Sequence, residues 1–368
     1  MKKVLVLYAK SGFLGHTVIA MNYAALLRKN GYEVETGDLF AIEGKVEIKS
    51  GTKLYMWVIK NAPWIWRLLY IYWTYLPFAQ YFKNNILPTR FPKTQKIIQD
   101  FGPDFIVTTH PTATGLVSFL KDKKIYNGPL FTTFSDWHVQ DFHIYRNVSK
   151  YFLVVPEQKA YMIKKGWPEN KLCVPGILVG ENYYNTPTKS EAKQILNVEE
   201  GRKMILVMGG GRGWGLEKII EHLAHLQVPA YVCIVAGSEE KKTELEKTTP
   251  ANHPSVQFQV LPFVEEPSKL FAAADLLISK PGGLTSSQAF LLRTPLMALS
   301  PLPGQEDLNI QYLLPKGAII TLEKKENFLD KITSLLKNPK ELIEVAENAY
   351  NISPKDAPGI VLAEIAKD

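Results

Sequence analysis

Short apolar runs alternate with amphipathic stretches of helical period along most of this chain, and they fall into two series. In the first, Lys3–Tyr8 reads as a strand, residues 16–30 as a helix closed by Gly31 at its C-terminal cap, and 33–37 as the next strand. PDFIVTTH (103–110), PLFTTFSD (129–136) and KYFLVVP (150–156) follow, each an apolar run bounded by turn residues. The chain then turns polar around 181–190, with a proline, and a linker is expected near 181–195. The second series is RKMILVMGGG (202–211), AYVCIVAG (230–237), VQFQVLPF (256–263), ADLLISKPGG (274–283) and TPLMALSP (294–301), with helices between them. Strands this uniformly apolar and separated by helical segments predict α/β architecture with parallel sheets buried on both faces. No internal repeat of 20 to 50 residues accompanies the pattern.

Length agrees with two series: 368 residues is enough for two domains with their own cores. The expected division is 1–185 and 186–368, with the last helix placed either in the second domain or back on the first. With 46% hydrophobic and 21% charged residues the composition is that of an ordinary globular chain. Cys173 and Cys233 lie in apolar surroundings without zinc-type spacing, so they read as core residues in a reducing compartment, and no metal site is expected. The N-terminal apolar run is five or six residues and leads into a glycine turn, so it is expected to be a strand and not a signal peptide.

Charge breaks this even picture in one place. Between Ile48 and Gln99 there are eight Lys/Arg and no Asp or Glu, so this segment carries +8 of a formal net +7 and the remainder sums to −1. The same stretch holds four of the seven tryptophans, Trp57, Trp64, Trp66 and Trp73, with Arg67 among them. Single-stranded nucleic acid and an anionic membrane surface both suit basic residues mixed with rings. Spacing separates them. Pro63 can open a helix and Pro77 end it, so WIWRLLYIYWTYL is expected to be a helix of about 13 residues, about 20 Å long. That is too short to cross a hydrocarbon core of about 30 Å. Its apolar character all round suits acyl chains better than bases, and no nucleic-acid-binding pattern is present, so a lipid-dipping element is expected and nucleic acid is not. A buried core helix with basic ends is the alternative the pattern leaves open.

Candidate chemistry sits in three glycine turns, each of the strand–turn–helix kind in which free backbone N–H groups point at a phosphate. SGFLGH (11–16) lacks dinucleotide-fingerprint spacing and has no acidic residue placed to hold an adenosine ribose. GGGRGWG (209–215) packs five glycines and one arginine into seven positions, and SKPGGLTSSQ (279–288) adds the hydroxyls of Ser279, Thr285, Ser286 and Ser287. Two such turns in one half suggest a nucleoside diphosphate. PLPGQEDLN (301–309) places Gln305 and Glu306 where an amide and a carboxylate could bond sugar hydroxyls or cap a helix beginning near Leu308.

In their order and spacing, GGGRGWG, LPFVEEPSKLFAAADLLISKPGGLTSSQA and PLPGQEDLN resemble the C-terminal domain of the monogalactosyldiacylglycerol synthases and bacterial diacylglycerol glucosyltransferases, with the lipid II-forming N-acetylglucosaminyltransferase a more distant relative. SGFLGH, the aromatic basic stretch, THP at 109–111 and FSDWHVQDF extend the resemblance over most of the chain. It implies a GT-B fold, two Rossmann-like domains facing across a cleft, and an inverting transfer of a hexose from a UDP-sugar to a membrane lipid such as diacylglycerol. It implies no metal or cofactor, and peripheral attachment at the cytoplasmic side of the cell membrane. The nucleotide sugar is then expected on Gly210, Gly211, Arg212, Gly213, Phe263, Ser279, Pro281, Gly282, Gly283, Leu284, Thr285, Gln288, Gln305 and Glu306.

At Gln288 the sequence departs from its relatives, which usually carry Glu there to accept from both ribose hydroxyls. An amide should weaken that contact by about 1–3 kcal/mol. A catalytically weakened lipid- or nucleotide-binding relative is therefore one alternative. A sugar-nucleotide epimerase of the same fold is another, although it would need no membrane-seeking helix. Without a metal, the leaving diphosphate falls to backbone N–H groups at Gly210, Gly211, Gly282, Gly283 and Leu284, with Arg212 adding charge. The base that deprotonates the lipid hydroxyl is sought among His16, His110, Asp136, His138 and His143. His16 is favoured, because it follows a glycine turn and matches the corresponding His of relatives at the cleft. His110 could orient the acceptor, and Asp136 could serve as base or hold a histidine in its tautomer. His222, His225 and His253 have no convergent partners in the sequence and receive no role.

Overall fold

The computed structural model describes residues 1–10, 14–44, 58, 62–72, 76–209, 215–250, 255–299, 304–323, 326–352 and 354–367. The chain divides into two compact units: unit 1 is Met1–Val179 with Leu302–Leu308 and Pro354–Asp368, and unit 2 is Gly180–Pro301 with Asn309–Ser353.

Unit 1 is built on six parallel strands, β1 (Lys3–Tyr8), β2 (Glu33–Asp38), β3 (Phe105–Thr108), β4 (Leu130–Thr133), β5 (Lys150–Phe152) and β6 (Leu172–Cys173), in the order β2-β1-β3-β4-β5-β6. Parallel neighbours require crossovers, and the helices Gly15–Lys29, Pro111–Asp122 and Pro156–Lys164 supply those from β1 to β2, β3 to β4 and β5 to β6. The central strands β3 and β4 are buried along their whole length, whereas the edge strand β2 mixes exposed and buried positions. The strands are shorter than the runs that predicted them: 103–110 yields four strand residues, ending before Thr109 and His110, and 150–156 three, because Leu153, Val154 and Val155 continue buried beyond the strand. Strand β6, only two residues long, leaves no periodic trace in the sequence.

Within the basic aromatic stretch, the described part of the helix spans Pro63–Tyr72, and Leu76 is extended ahead of a second helix, Pro77–Tyr81. That helix passes into a π-helical turn, Phe82–Ile86, and a 3₁₀ turn, Leu87–Arg90. No helix among the described residues is long and apolar enough to cross a membrane.

Unit 2 holds five parallel strands, β7 (Lys203–Met208), β8 (Ala230–Val235), β9 (Val256–Leu261), β10 (Leu276–Ser279) and β11 (Leu296–Ala298), in the order β11-β10-β7-β8-β9. Ile205, Val207, Val232, Ile234, Leu276 and Ile278 form its core with Ile219, Ile220 and Leu223 of the helix Leu216–Leu223. The segment 181–195, read as a linker, is partly regular. Residues Lys189–Ile195 form a helix because Thr188 and Glu191 make a capping box, each side chain satisfying the other's backbone N–H.

In both sheets the first strand of the unit lies between strands reached in opposite directions, β1 between β2 and β3, β7 between β8 and β10. Open parallel sheets bind ligands at the carboxyl ends of strands flanking such a reversal. His16 and His110 follow β1 and β3, and the two glycine turns follow β7 and β10.

Candidate functional site

The helix Gly15–Lys29 brings His16 back over the end of β3, where its Nδ1 meets the carbonyl oxygen of Thr109 and the Thr109 hydroxyl donates to the His16 carbonyl at 2.9 Å. A carbonyl cannot donate, so Nδ1 carries the proton and Nε2 holds the lone pair. Burial pulls the His16 pKa below the ordinary histidine value, against the opposing pull of the Asp136 carboxylate and the Thr109 hydrogen bond. His16 is therefore a neutral base at pH 7, and Asp136 is placed to favour the imidazolium formed when it takes a proton.

His110 caps the helix Pro111–Asp122, its Nδ1 accepting from the Thr112 N–H at 3.2 Å, which places the proton of the neutral ring on Nε2. Its ring meets that of His16 edge to face at 4.9 Å between centroids. Burial, reinforced by His16 and His143, holds its pKa well below the ordinary value.

Asp136 is buried, follows β4, and is held from several sides. Gln305 Nε2 donates to its Oδ2 at 2.7 Å, the Ser135 hydroxyl donates to the same oxygen at 3.4 Å, and Gln158 Nε2 donates to its backbone carbonyl at 2.7 Å. His143 lies against Phe134, with ring centroids 5.6 Å apart; burial drives its pKa down to about 3, with the neighbouring His16, His138 and Lys83 side chains adding to the fall and Asp136 opposing it. His138 Nε2 lies 3.3 Å from the Tyr70 hydroxyl. All five base candidates thus belong to unit 1, with Gln305 beside Asp136.

Gln305 and Glu306 correct the sequence reading in one respect. The helix there is Gln305–Leu313, beginning three residues earlier than expected, and its first turn groups with unit 1 and not with unit 2. Gln305 spends its amide on Asp136, so a sugar hydroxyl would meet its Oε1. Gly304 is required here: its φ is +97°, and a Cβ would come within 3.1 Å of the Tyr70 ring.

The unit 2 turns are made differently. Gly282 is the extended residue ahead of the helix Gly283–Leu291 and offers no side-chain cap, so the N–H groups of Gly283, Leu284 and Thr285 have no carbonyl within the helix to bond. A Cβ at Gly282 would meet no protein atom within 4 Å. The hydroxyls expected to serve a ligand are partly spent inside the fold: Ser279 donates to the Met208 carbonyl at 3.0 Å, and Ser286 to the carbonyls of Gly282 and Gly283 at 2.8 and 3.0 Å. Asn309, which carried no assignment, donates to the carbonyl of Pro281 at 3.0 Å and fixes the turn. Gln288 is buried on the helix, and Phe263 is 45% exposed beyond β9. Gly210, Gly211, Arg212, Gly213, Trp57 and Trp73 lie outside the described residues, as does the side chain of Trp66. Trp64 and Arg67 are exposed on the helix Pro63–Tyr72.

Sequence reasoning missed Thr109, Gln158, Asn309 and Lys83. Each acts through a contact between residues distant in the chain, and only the quoted motifs THP and PLPGQEDLN pointed near two of them.

Residues 16–179 match the family model for monogalactosyldiacylglycerol synthase, and 188–352 the model for glycosyl transferases group 1. The chain is similar to the processive diacylglycerol beta-glucosyltransferases of Bacillus pumilus, 26% identical over 373 residues, and of Bacillus subtilis, 23% identical over 374 residues; each match covers 100% of this chain and 95% of the relative. Among solved structures, Acinetobacter baumannii MurG superposes with a TM-score of 0.63 at 17% identity, covering both chains completely. The UDP-GlcNAc 2-epimerase of Neisseria meningitidis, bound to UDP-GlcNAc, superposes with 0.59 at 15% identity, again over both whole chains. At these identities the structures establish a shared fold of two parallel-sheet α/β domains.

Proposed function

We propose, from the match of residues 16–179 to the monogalactosyldiacylglycerol synthase model and of 188–352 to the model for glycosyl transferases group 1, that the chain is a glycosyltransferase of GT-B fold that moves a hexose from a UDP-sugar to the free hydroxyl of a diacylglycerol-type membrane lipid. The observation that carries this reading is the state of His16: neutral, fixed by Thr109, with Nε2 left as base and a carboxylate at hand to stabilise its conjugate acid.

In the proposed reaction the lipid oxygen forms a bond to the anomeric carbon as the bond from that carbon to the diphosphate oxygen breaks. The hydroxyl proton passes to His16 Nε2. A β-linked product, as in the names of the Bacillus relatives, requires inversion when the UDP-hexose is α-linked, and a single displacement with one base provides it. Asp136 stabilises the imidazolium, and Gln305, donating at 2.7 Å, keeps the carboxylate in place. The charge that develops on the leaving diphosphate falls to the first-turn N–H groups of Gly283–Leu291, together with the 209–215 turn and its Arg212.

Membrane attachment is proposed through the aromatic segment. Trp64, Leu68 and Tyr72 recur every fourth residue along one side of their helix and are 64%, 49% and 59% exposed; Leu76, Phe78 and Tyr81 continue the apolar surface. Such a patch, flanked by Lys and Arg, suits the headgroup region of an anionic bilayer at the cytoplasmic face.

The reading is tested by incubating the purified chain with radiolabelled UDP-glucose or UDP-galactose and diacylglycerol in phosphatidylglycerol or phosphatidylcholine vesicles, followed by lipid extraction. Label should enter the lipid phase from one donor, faster on the anionic vesicles. A protein that binds UDP yet labels no lipid from either donor would overturn the transfer reading, and equal rates on both vesicles would overturn the anionic-surface reading.

A further inference from the structure

Lys83 is a cation with no place in the reaction just derived, yet it is only 1% exposed. It sits in the π-helical turn Phe82–Ile86, which continues the helix bearing the exposed Phe78 and Tyr81. Turns of this kind inside helices recur at functional sites, because the widened backbone re-aims a side chain. Here it aims the ammonium at the segment 141–145: Nζ donates to the carbonyls of Ile144 at 2.8 Å and Asp141 at 3.4 Å, and lies 3.9 Å from the centre of the Tyr145 ring and 5.1 Å from that of Phe142. The far side of the segment is equally fixed. Tyr151 Oη bonds both the N–H and the carbonyl of Tyr145 at 2.7 Å, and the Tyr145 ring fills the space a Cβ on Gly115 would need.

The residue this clamp carries is His143, which ends the 3₁₀ turn Asp141–His143 and packs on Phe134, two residues before Asp136; the negative charge of Asp136 favours the protonated forms of both His143 and His16. Two histidines thus compete for one carboxylate. If His143 were protonated, it would draw Asp136 to itself and its positive charge would oppose proton uptake by His16. We propose that Lys83 is a positioning residue of the acceptor-activating site, its ammonium pinning the turn that carries His143 so that Asp136 is left to His16.

The charges around the pair are consistent with this role. Lys83 faces the Asp141 carboxylate, which is itself engaged by the Tyr161 hydroxyl at 3.1 Å and by Lys165 at 3.8 Å, as well as His143 and the Tyr145 ring. His143 in turn faces His16, Asp136, His138, His110 and Lys83 itself. Burial lowers the Lys83 pKa to about 7, with Asp141 opposing the shift. Lys83 therefore acquires its full charge as pH falls below 7, in the range where an ordinary imidazole would take up a proton, and its charge disfavours protonation of His143 there.

The assignment of a catalytic effect rests on the transfer reading, so the test has one arm independent of it. In the transfer assay across pH 5.5–8.5, Lys83→Met should lower kcat at least tenfold at pH 6 but no more than threefold at pH 8, with KM for the UDP-sugar changed less than twofold. Lys83→Arg, which keeps the cation and its donors, should retain at least a third of the activity throughout. A loss equal at every pH, or none, overturns the proposal. In the second arm, carbon–proton NMR of labelled histidines in the unaltered protein should show the His143 ring neutral down to pH 5. Titration of His143 near 6.5 overturns the proposal whether or not Lys83→Met folds. A protein that transfers no hexose while its His143 stays neutral would instead refute the transfer reading alone.

Discussion

At the carboxyl ends of β1, β3 and β4, unit 1 gathers His16, His110 and Asp136, whereas at the carboxyl end of β10 unit 2 has glycines and hydroxyls. His16, His110 and His143 are desolvated and held neutral, so the chemistry proposed for unit 1 depends on which ring nitrogen carries a proton and where one carboxylate points. In unit 2, Ser279, Ser286 and Asn309 turn their polar atoms into the fold, and the backbone N–H groups at the head of Gly283–Leu291 are the described groups proposed to meet the donor. A proton-moving site needs side chains whose affinities the surroundings can tune. An anion-holding site needs dipoles that do not move, and peptide groups provide them without a titration. The comparison implies that pH acts on unit 1, while shape acts on unit 2.

The largest effect should separate the two directly. His16→Ala is expected to lower kcat by about 10²–10⁴, the usual contribution of a general base, while calorimetric UDP affinity stays within twofold. A parallel loss of UDP binding would mean that the division of labour is false. Gly282→Val makes the converse test. Its Cβ would meet no protein atom, so Tm should hold while UDP affinity falls by roughly a hundredfold as the branched side chain enters the space of the diphosphate. Unchanged affinity would remove Gly282 from the donor site.

Stability against pH sharpens the contrast further. Because His16, His110 and His143 bind protons less readily when folded, the unfolded chain takes up more protons once pH falls below about 6.5, and stability falls with it. For His143, with its folded value near 3, the loss at pH 5 is on the order of 2 kcal/mol, a drop of roughly 4–8 °C in Tm for a domain of this size. Lys83 works on the alkaline side, where its depressed value makes stability rise between about pH 7 and 10. Scanning calorimetry from pH 5 to 9 should show the acid loss, and His143→Phe should reduce it; a flat acid limb would contradict the buried neutral histidines. The smallest effect expected is at Gln288. If its side chain meets the ribose, Gln288→Glu restores a charge-assisted acceptor and tightens UDP binding roughly tenfold, and 2′- or 3′-deoxyuridine diphosphate should lose the gain. Weaker binding by the Glu variant would place that side chain nearer the diphosphate than the ribose.

Alternating apolar runs and helical periods were sufficient to determine two parallel α/β units, because strands buried on both faces must be apolar throughout and parallel neighbours must be joined by crossovers. The glycine turns, the histidines following them and the basic aromatic segment were equally local, since each is written in consecutive residues. Tertiary structure decided what those residues touch. From the sequence, Gln305 was expected on a sugar or as a helix cap and Ser279 on a nucleotide; folding adds contacts no motif carries, Gln305 to Asp136 across 169 positions and Ser279 to Met208 across 71. It also set the tautomer of His16 through Thr109, 93 positions away, and enclosed Lys83 beneath the turn that carries His143. The physical reason is that periodicity and turn chemistry report on a residue's neighbours along the chain, whereas hydrogen-bond partners, desolvation and the sharing of one carboxylate arise only when strand ends far apart in sequence come together in space.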